Sequence, residues 1–293
     1  MNLAVTVIQI VAPVFLLGAI GFGWVRMGFE YHVDFVTRLG INLAVPALVF
    51  TALMKSPVDP QALGALTLAA IVAHVAIGLL LAIGLWFAGL SLRTFLAPMT
   101  FGNTGNLGLP LALLSFGQAG LGYGVVILAV TSILSFSIGV WVVAGGGSLR
   151  KILTQPLVIA TILGAVFLSQ GWQTPQVLTN ALELLGQMAI PLMLITLGVA
   201  VARITPAHVM QAVGLSLVKL AVCATVGFGV AQIFALEHAA YGVLVLQMCT
   251  PVGVSSYLLA EKFSADGDTV AGLVVVSTLM SVISLPILLA IVL

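Results

Sequence analysis

Charged side chains are scarce in this chain. Its 293 residues include 9 lysines and arginines and 8 aspartates and glutamates, so charged residues make up only 6% of the sequence. Soluble domains contain about 25% charged residues, and this composition therefore excludes an ordinary soluble domain. The formal net charge of +1 provides no basic surface for a nucleic acid. We therefore expect no nucleic-acid partner.

The sequence also lacks the signatures of several other classes of protein. It contains no HExxH, GxSxG or P-loop motif, which argues against a membrane-embedded hydrolase and against ATP-driven transport. Cys223 and Cys249 lie in apolar segments and imply no disulfide framework. No cationic stretch precedes the first apolar segment, so we expect Met1 to Trp24 to be a retained span. We expect no cofactor, no metal ion and no catalytic residue.

Apolar residues, in contrast, are abundant. They make up 61% of the sequence, and the mean hydropathy is +1.28, which is typical of an all-α polytopic protein of the lipid bilayer. Apolar windows bounded by charge, glycine or proline predict ten transmembrane helices. The predicted spans are 3–24, 35–54, 62–88, 94–116, 121–144, 152–170, 177–201, 208–234, 239–260 and 269–293.

The cationic residues predict the orientation of these spans. Loops that follow even-numbered spans contain only Lys55, and Lys219 lies inside span eight. Cationic residues mark cytoplasmic loops, so both termini are expected on the external, periplasmic side of a bacterial inner membrane. The loops that follow odd-numbered spans contain the other cations: Arg26, Arg38, Arg93, Arg150, Lys151, Arg203 and Lys262.

Span four contains a sequence that disfavours a continuous helix. Gly102 to Pro110 reads GNTGNLGLP, in which the glycines lower helix stability and the proline lacks an N–H. Span nine contains a related stretch around Pro251 and Gly253. The residues expected to interrupt these two helices are Gly105, Gly108, Pro110, Pro251 and Gly253.

The two halves of the chain match at an offset of about 145 residues. Asn42 precedes Pro46 as Gln187 precedes Pro191, and Gly108 falls opposite Gly253. Repeats of five spans each must enter the membrane from opposite sides. We therefore predict two inverted five-helix repeats, 1–146 and 147–293, with broken helices four and nine crossing near the midplane.

Broken helices of this kind present half-helix amino ends, which favour an anionic group between them. The polar residues around the breaks are therefore candidates for solute binding, and their alternative role is to cap the half-helices or to join neighbouring helices. The candidate substrate-binding residues are Asn103, Thr104, Asn106, Thr250, Val254, Ser255, Asn42 and Gln247.

Two ionisable residues occupy matching positions in spans three and eight, His74 and Lys219. A lysine at mid-membrane costs about 2.5–3.5 kcal/mol on insertion scales, so it marks either a pathway or a partner. Lys219 could balance a substrate carboxylate, take part in proton coupling with His74, or donate hydrogen bonds to the carbonyl ends of the broken helices. The apolar midplane contains no carboxylate, which argues against a cation exchanger.

The sequence resembles the auxin efflux carrier family over essentially its whole length. The resemblance is carried by GNTGNLGLPL (102–111), NLAVPALVF (42–50), AIPLMLITLG (189–198) and the segment 251–262. It implies a fold like that of the sodium/proton antiporters and bile-acid symporters. Spans 1, 2, 6 and 7 would form a scaffold domain that often dimerises, and spans 3–5 and 8–10 would form a moving transport domain. The family's substrates are organic anions such as auxin, malate or malonate.

We therefore predict a secondary active or facilitative carrier of small organic carboxylates that works by an elevator-type motion. A proton or a sodium ion is the candidate coupling ion, and a homodimer is expected. The alternative within transport is a sodium-coupled symporter of the bile-acid type. A passive channel is a further alternative, although proline-broken spans favour alternating access.

Overall fold

A computed structural model describes residues 3–144, 154–204, 208–263 and 266–293. These residues form helices and contain no strand. The α-helices are α1 (Leu3–Arg26), α2 (Val33–Leu39), α3 (Val45–Met54), α4 (Pro60–Phe87), α5 (Leu92–Thr100), α6 (Leu109–Leu134), α7 (Val140–Ala144), α8 (Pro156–Gln170), α9 (Gln176–Gln187), α10 (Ala189–Arg203), α11 (Val209–Ile233), α12 (His238–Met248), α13 (Val254–Lys262) and α14 (Gly267–Val292). The helices are also connected by three π-helical turns. Gly40–Ala44 joins α2 to α3, Thr104–Gly108 leads into α6, and Ser135–Gly139 joins α6 to α7.

The described helices are those of a multi-pass membrane protein. Seven helical runs are long and apolar enough to cross a bilayer. Large apolar side chains on the outer faces of these runs are exposed, among them Phe87, Met210 and Ile283. Exposed apolar side chains are expected where a helix is surrounded by lipid rather than water. The seven runs are Leu3–Arg26, Val33–Met54, Pro60–Phe87, Thr104–Ala144, Gln176–Arg203, Val209–Ile233 and Gly267–Val292.

The remaining predicted spans correspond to shorter or divided helices. Span six is the 15-residue helix α8. Span four is divided between α5 and the start of α6, and span nine is divided into α12 and α13. Arg150, Lys151 and the predicted boundary between residues 146 and 147 lie outside the described residues. The ten-span inverted repeat stays a prediction.

A single glycine reverses the chain between predicted spans four and five. Gly117 has φ 62° and ψ −148°, non-helical angles inside the run assigned to α6. A positive φ of this kind favours glycine. The chain then folds back, since a Cβ at Gly120 would collide with the carbonyl of Ala112, and one at Gly124 would lie 3.1 Å from the Ala112 Cβ. Leu109–Phe116 therefore packs antiparallel to the helix that follows Gly117.

The helices pack in two sets. In the first set α1 lies against α10, and α3 lies against α8 and α9. Glycines allow these close contacts: a Cβ at Gly198 would collide with the Gly18 carbonyl, and one at Gly164 would lie 2.9 Å from the Leu53 Cβ. In the second set α4 contacts α5, α6 and α11, and α12 contacts α6, α11 and α14. The broken segments belong to the second set.

Candidate functional site

The two interrupted helices meet at their breaks. The Asn103 N–H donates to the Pro251 carbonyl at 2.7 Å, and Gly102 and Val252 form an isolated antiparallel bridge. Gly102 permits this approach, since a Cβ there would collide with the Thr250 hydroxyl. Each break therefore satisfies backbone groups of the other, which an interrupted helix inside a membrane requires.

Asn103 organises the first break. It is the N-cap of the π-helical turn, and its Oδ1 accepts from the Asn106 N–H at 3.3 Å. Its side chain is buried and its Nδ2 has no hydrogen-bond partner. Thr104 is buried beside it. Pro110 lies in the first turn of α6, where a missing N–H is tolerated, so the interruption itself is at Phe101 to Asn103.

The second break is held by hydroxyl groups. The Thr250 Oγ1 donates to the Gln247 carbonyl at 2.7 Å, at the end of α12. The Val252 N–H donates to the Ser277 Oγ at 3.0 Å, so α14 supplies an acceptor for a freed backbone group. Gly253 lies against the first break, since a Cβ there would be 3.6 Å from the Gly102 carbonyl oxygen.

The amino ends of the half-helices that follow the breaks carry the accessible polar groups. Ser255, in the first turn of α13, is exposed, and Val254 and Asn106 are half-buried. Gly105 packs against α10, since a Cβ added at Gly105 would be 3.0 Å from the Met193 Cε. Helix amino ends present N–H groups that have no intrahelical partner and a partial positive charge. These elements can bind a small anion.

Gln247 is enclosed between the two arms that meet at Gly117. Its side chain is 1% exposed, and neither amide atom has a hydrogen-bond partner. A Cβ at Gly108 would collide with the Gln247 amide, and one at Gly124 would lie 3.1 Å from its Nε2. The two glycines therefore form the slot that admits this side chain.

Lys219, on α11, is buried, and its ammonium group lies at the carboxyl end of α5. Its Nζ donates to the Met99 carbonyl at 3.1 Å and lies 3.8 Å from the Cys223 Sγ. A cation is stabilised at a helix carboxyl end because the last carbonyls have no intrahelical partner. The sequence left three roles open for Lys219. The contact with Met99 matches the role in which the ammonium donates hydrogen bonds to the carbonyl ends of the broken helices.

His74 is also buried, but its partners differ. Its Nδ1 lies 2.7 Å from the Ala70 carbonyl, so this nitrogen carries a proton, and its Nε2 lies 3.1 Å from the Thr131 Oγ1. Its ring stacks on Phe101, with the ring centroids 5.8 Å apart. The structure therefore connects His74 to the first break through Phe101.

A narrow pocket lies beside Lys219 and reaches the second break. It has room for a water molecule or a small ion. Ser216 lines it with a buried hydroxyl that has no partner. The other lining residues are Lys219, Leu220, Cys223, Cys249, Thr250, Pro251, Ser277, Met280, Ser281 and Ser284.

One predicted site residue is not brought to the breaks. Asn42 is exposed on the π-helical turn Gly40–Ala44, and the elements packed against that turn are α2, α3, α8, α9 and α10.

Sequence reasoning missed two contributors to the site: Gly124 and Ser216. Gly124 belongs to a run of alternating glycines that could have indicated a close helix contact, and Ser216 lies one turn before Lys219 on the same helix face.

Comparisons with known proteins agree with a membrane transporter. The profile of a family described as "Membrane transport protein" matches residues 140–289. The chain is 27% identical over 271 residues to an "Uncharacterized transporter" of Methanothermobacter thermautotrophicus, and the match covers 88% of each chain. It is 23% identical over 266 residues to a "Putative malonate transporter" of Rhizobium meliloti, covering 83% of this chain and 81% of that protein.

Proposed function

This chain belongs to the membrane transport protein family, that of the auxin efflux carriers, and from that premise we propose that it is a secondary carrier of a small organic carboxylate. One observation carries the proposal: the amino ends of two half-helices, with the half-buried Asn106 and the exposed Ser255 on them, lie at the point where the two breaks meet. Family and relatives point to a transporter rather than an enzyme.

A carboxylate suits this site for electrostatic reasons. Two half-helix amino ends supply partial positive charge without a protein cation in direct contact. Asn106 and the unpartnered Nδ2 of Asn103 can donate hydrogen bonds. The name of the Rhizobium meliloti relative supports a short dicarboxylate such as malonate as the first substrate to test.

The proposed transport mechanism is an elevator-type motion. The breaks belong to one set of packed helices, and α1, α3, α8, α9 and α10 form the other. The first break lies beneath Met193 of α10, whereas Ser255 on α13 is exposed. In the proposal the second set slides along the first and exposes the site to alternate sides of the inner membrane. The first set is the proposed dimerisation scaffold.

A sodium-coupled symporter of the bile-acid type is the alternative within this fold. It would require a sodium site among backbone carbonyls and hydroxyl groups, because the described apolar spans place no carboxylate at the breaks. The same experiment can therefore test substrate class and coupling.

The deciding experiment is a thermal-shift and binding screen of purified protein against mono- and dicarboxylates, with sodium or choline, at two pH values. We expect saturable stabilisation by one class of small carboxylate. Amides of the same acids serve as neutral controls and should not stabilise the protein. Equal effects of an acid and its amide, or no response to any carboxylate together with no carboxylate uptake into proteoliposomes, would refute the proposal.

A further inference from the structure

Lys219 is a buried cation that lacks a carboxylate partner. Its side chain is 3% exposed, and the ion pairs found in the described ranges, Glu30–His32 and Lys55–Glu183, do not include it. An ammonium at this depth is costly unless polar groups replace its water. The groups that replace water here are a carbonyl oxygen and a thiol rather than an acid.

The ammonium lies at the carboxyl end of a half-helix, the kind of position at which broken-helix carriers coordinate a metal cation. Its Nζ donates to the carbonyl of Met99, in the last turn of α5 immediately before the first break. Carbonyls at the carboxyl ends of half-helices are the groups that coordinate sodium in such carriers. A cation at this point also offsets the partial negative charge of the α5 carboxyl end.

The pocket beside Lys219 supplies further oxygen atoms. Thr250, Ser277 and Ser281 line it, and the Ser216 hydroxyl is buried in it without a partner. Its size suits a water molecule or a small ion. Hydroxyl and carbonyl oxygens are the ligands that hard cations prefer.

We propose that the Lys219 ammonium is a tethered replacement for a coupling cation, so that this carrier operates without sodium and its sodium site is filled by its own side chain. The proposal deepens the proposed carrier function, on which it rests. It makes Lys219 the residue that determines ion specificity, acting on the breaks through the α5 carboxyl end rather than through the solute.

The test compares two substitutions at position 219 with a matched control. Lys219→Ser shortens the side chain and leaves room for a cation among the pocket oxygens. Lys219→Met removes the charge but fills the same space. Lys55→Ser makes the same chemical change at the exposed Lys55–Glu183 pair, outside the pocket. Melting temperatures are measured in sodium, lithium, potassium or choline chloride at equal ionic strength, without any carboxylate.

For the wild type, for Lys219→Met and for Lys55→Ser, the melting temperature of each protein in sodium should equal its own melting temperature in choline. Lys219→Ser should be stabilised saturably by sodium or lithium, with a rise of at least about 2 °C, and propylammonium should reproduce the effect. A saturable sodium response of the wild type would overturn the proposal. A folded Lys219→Ser protein that responds to no cation would also overturn it.

Should Lys219→Ser not fold in choline medium, its yield is compared in sodium and choline media. Recovery of folded protein in sodium alone supports the proposal, and failure in both media refutes it. Because these measurements contain no carboxylate, they are independent of the substrate screen. If Lys219→Ser shows no sodium response but the protein binds a carboxylate, only the tethered-cation proposal is rejected. If Lys219→Ser responds to sodium but the protein binds no carboxylate, only the proposed substrate class is rejected.

Discussion

At the scale of single residues, the breaks depend on side chains that replace lost helical hydrogen bonds. Asn103 caps one break through its Oδ1, and Ser277 accepts the Val252 N–H in the other. These two roles are structural. Asn106 differs, because it is half-buried on the accessible face and only its backbone N–H is used in the cap. Its side chain is therefore the one to test for solute contact.

We predict that Asn106→Ala weakens carboxylate binding without unfolding the protein. A lost hydrogen bond to a charged solute is worth about 1.5–3 kcal/mol, or roughly ten- to a hundred-fold in affinity. Asn180→Ala, at an exposed Asn on α9, is the matched control and should bind as the wild type does. Isothermal titration with the carboxylate found in the screen measures both. Unchanged affinity of Asn106→Ala would leave this residue with a structural role only.

At the scale of helices, glycines set how closely elements approach. Gly124 lies where the arm after Gly117 meets Ala112 and the Gln247 amide, and a Cβ there would lie 3.1 Å from both the Ala112 Cβ and the Gln247 Nε2. We predict that Gly124→Ala destabilises the protein by about 1–3 kcal/mol, because extra volume in a packed contact forces neighbours to move.

Gly84→Ala is the control for this prediction. Gly84 lies inside α4 with no atom within 4 Å of an added Cβ, so alanine should be neutral or slightly stabilising through helix propensity. Thermal unfolding of both variants in detergent measures the difference. Equal melting temperatures for the two variants would contradict the slot described for Gln247.

The start of α14 provides a pH-dependent prediction. Asp266 caps α14 by accepting hydrogen bonds from the Thr269 Oγ1 and N–H, and these bonds hold the pKa of Asp266 below its usual value. A lowered pKa in the folded state stabilises the protein above about pH 4, and this contribution disappears as the pH falls through the folded-state pKa.

Asp266→Ala should therefore lose about 0.5–1 kcal/mol at neutral pH and much less at pH 3. Asp266→Asn keeps a capping oxygen without a titrating group, so its stability relative to the wild type should improve as the pH falls. Melting temperatures between pH 3 and pH 7 give both comparisons. A deficit of Asp266→Ala that does not change with pH would show that the ionised carboxylate is not responsible.

At the scale of the whole molecule, the cationic residues predict the orientation in the membrane. Residue 147 is expected in a cytoplasmic loop, and Gln176, at the start of α9, is expected outside. In sealed cells, an impermeant maleimide should label Gln176→Cys but should label Gly147→Cys only after lysis. The buried Cys223 and Cys249 should contribute little background. Labelling of Gly147→Cys from outside would reverse the orientation.

The sequence by itself determined the class of molecule and the two predicted spans that contain helix breaks. Hydropathy is a sum over neighbouring residues, so long apolar windows predict membrane helices without knowledge of their partners. The helix-breaking effect of glycine and proline is equally local. This is why GNTGNLGLP predicted an interruption in span four. The structure has that interruption at Phe101 to Asn103, whereas Gly105, Gly108 and Pro110 lie in helical turns.

Only the tertiary structure decided what each polar side chain does. The Asn103 N–H pairs with the Pro251 carbonyl, Lys219 reaches Met99, and Gln247 enters a slot between Gly108 and Gly124. Each pair joins residues far apart in the chain, so no local pattern specifies it. Sequence placed Asn42 and Asn106 in the same candidate set, but packing leaves Asn42 on the turn against α3 and α10 and brings Asn106 to the breaks. A hydrogen-bonding group acts over about 3 Å, a distance that is fixed only when the helices pack.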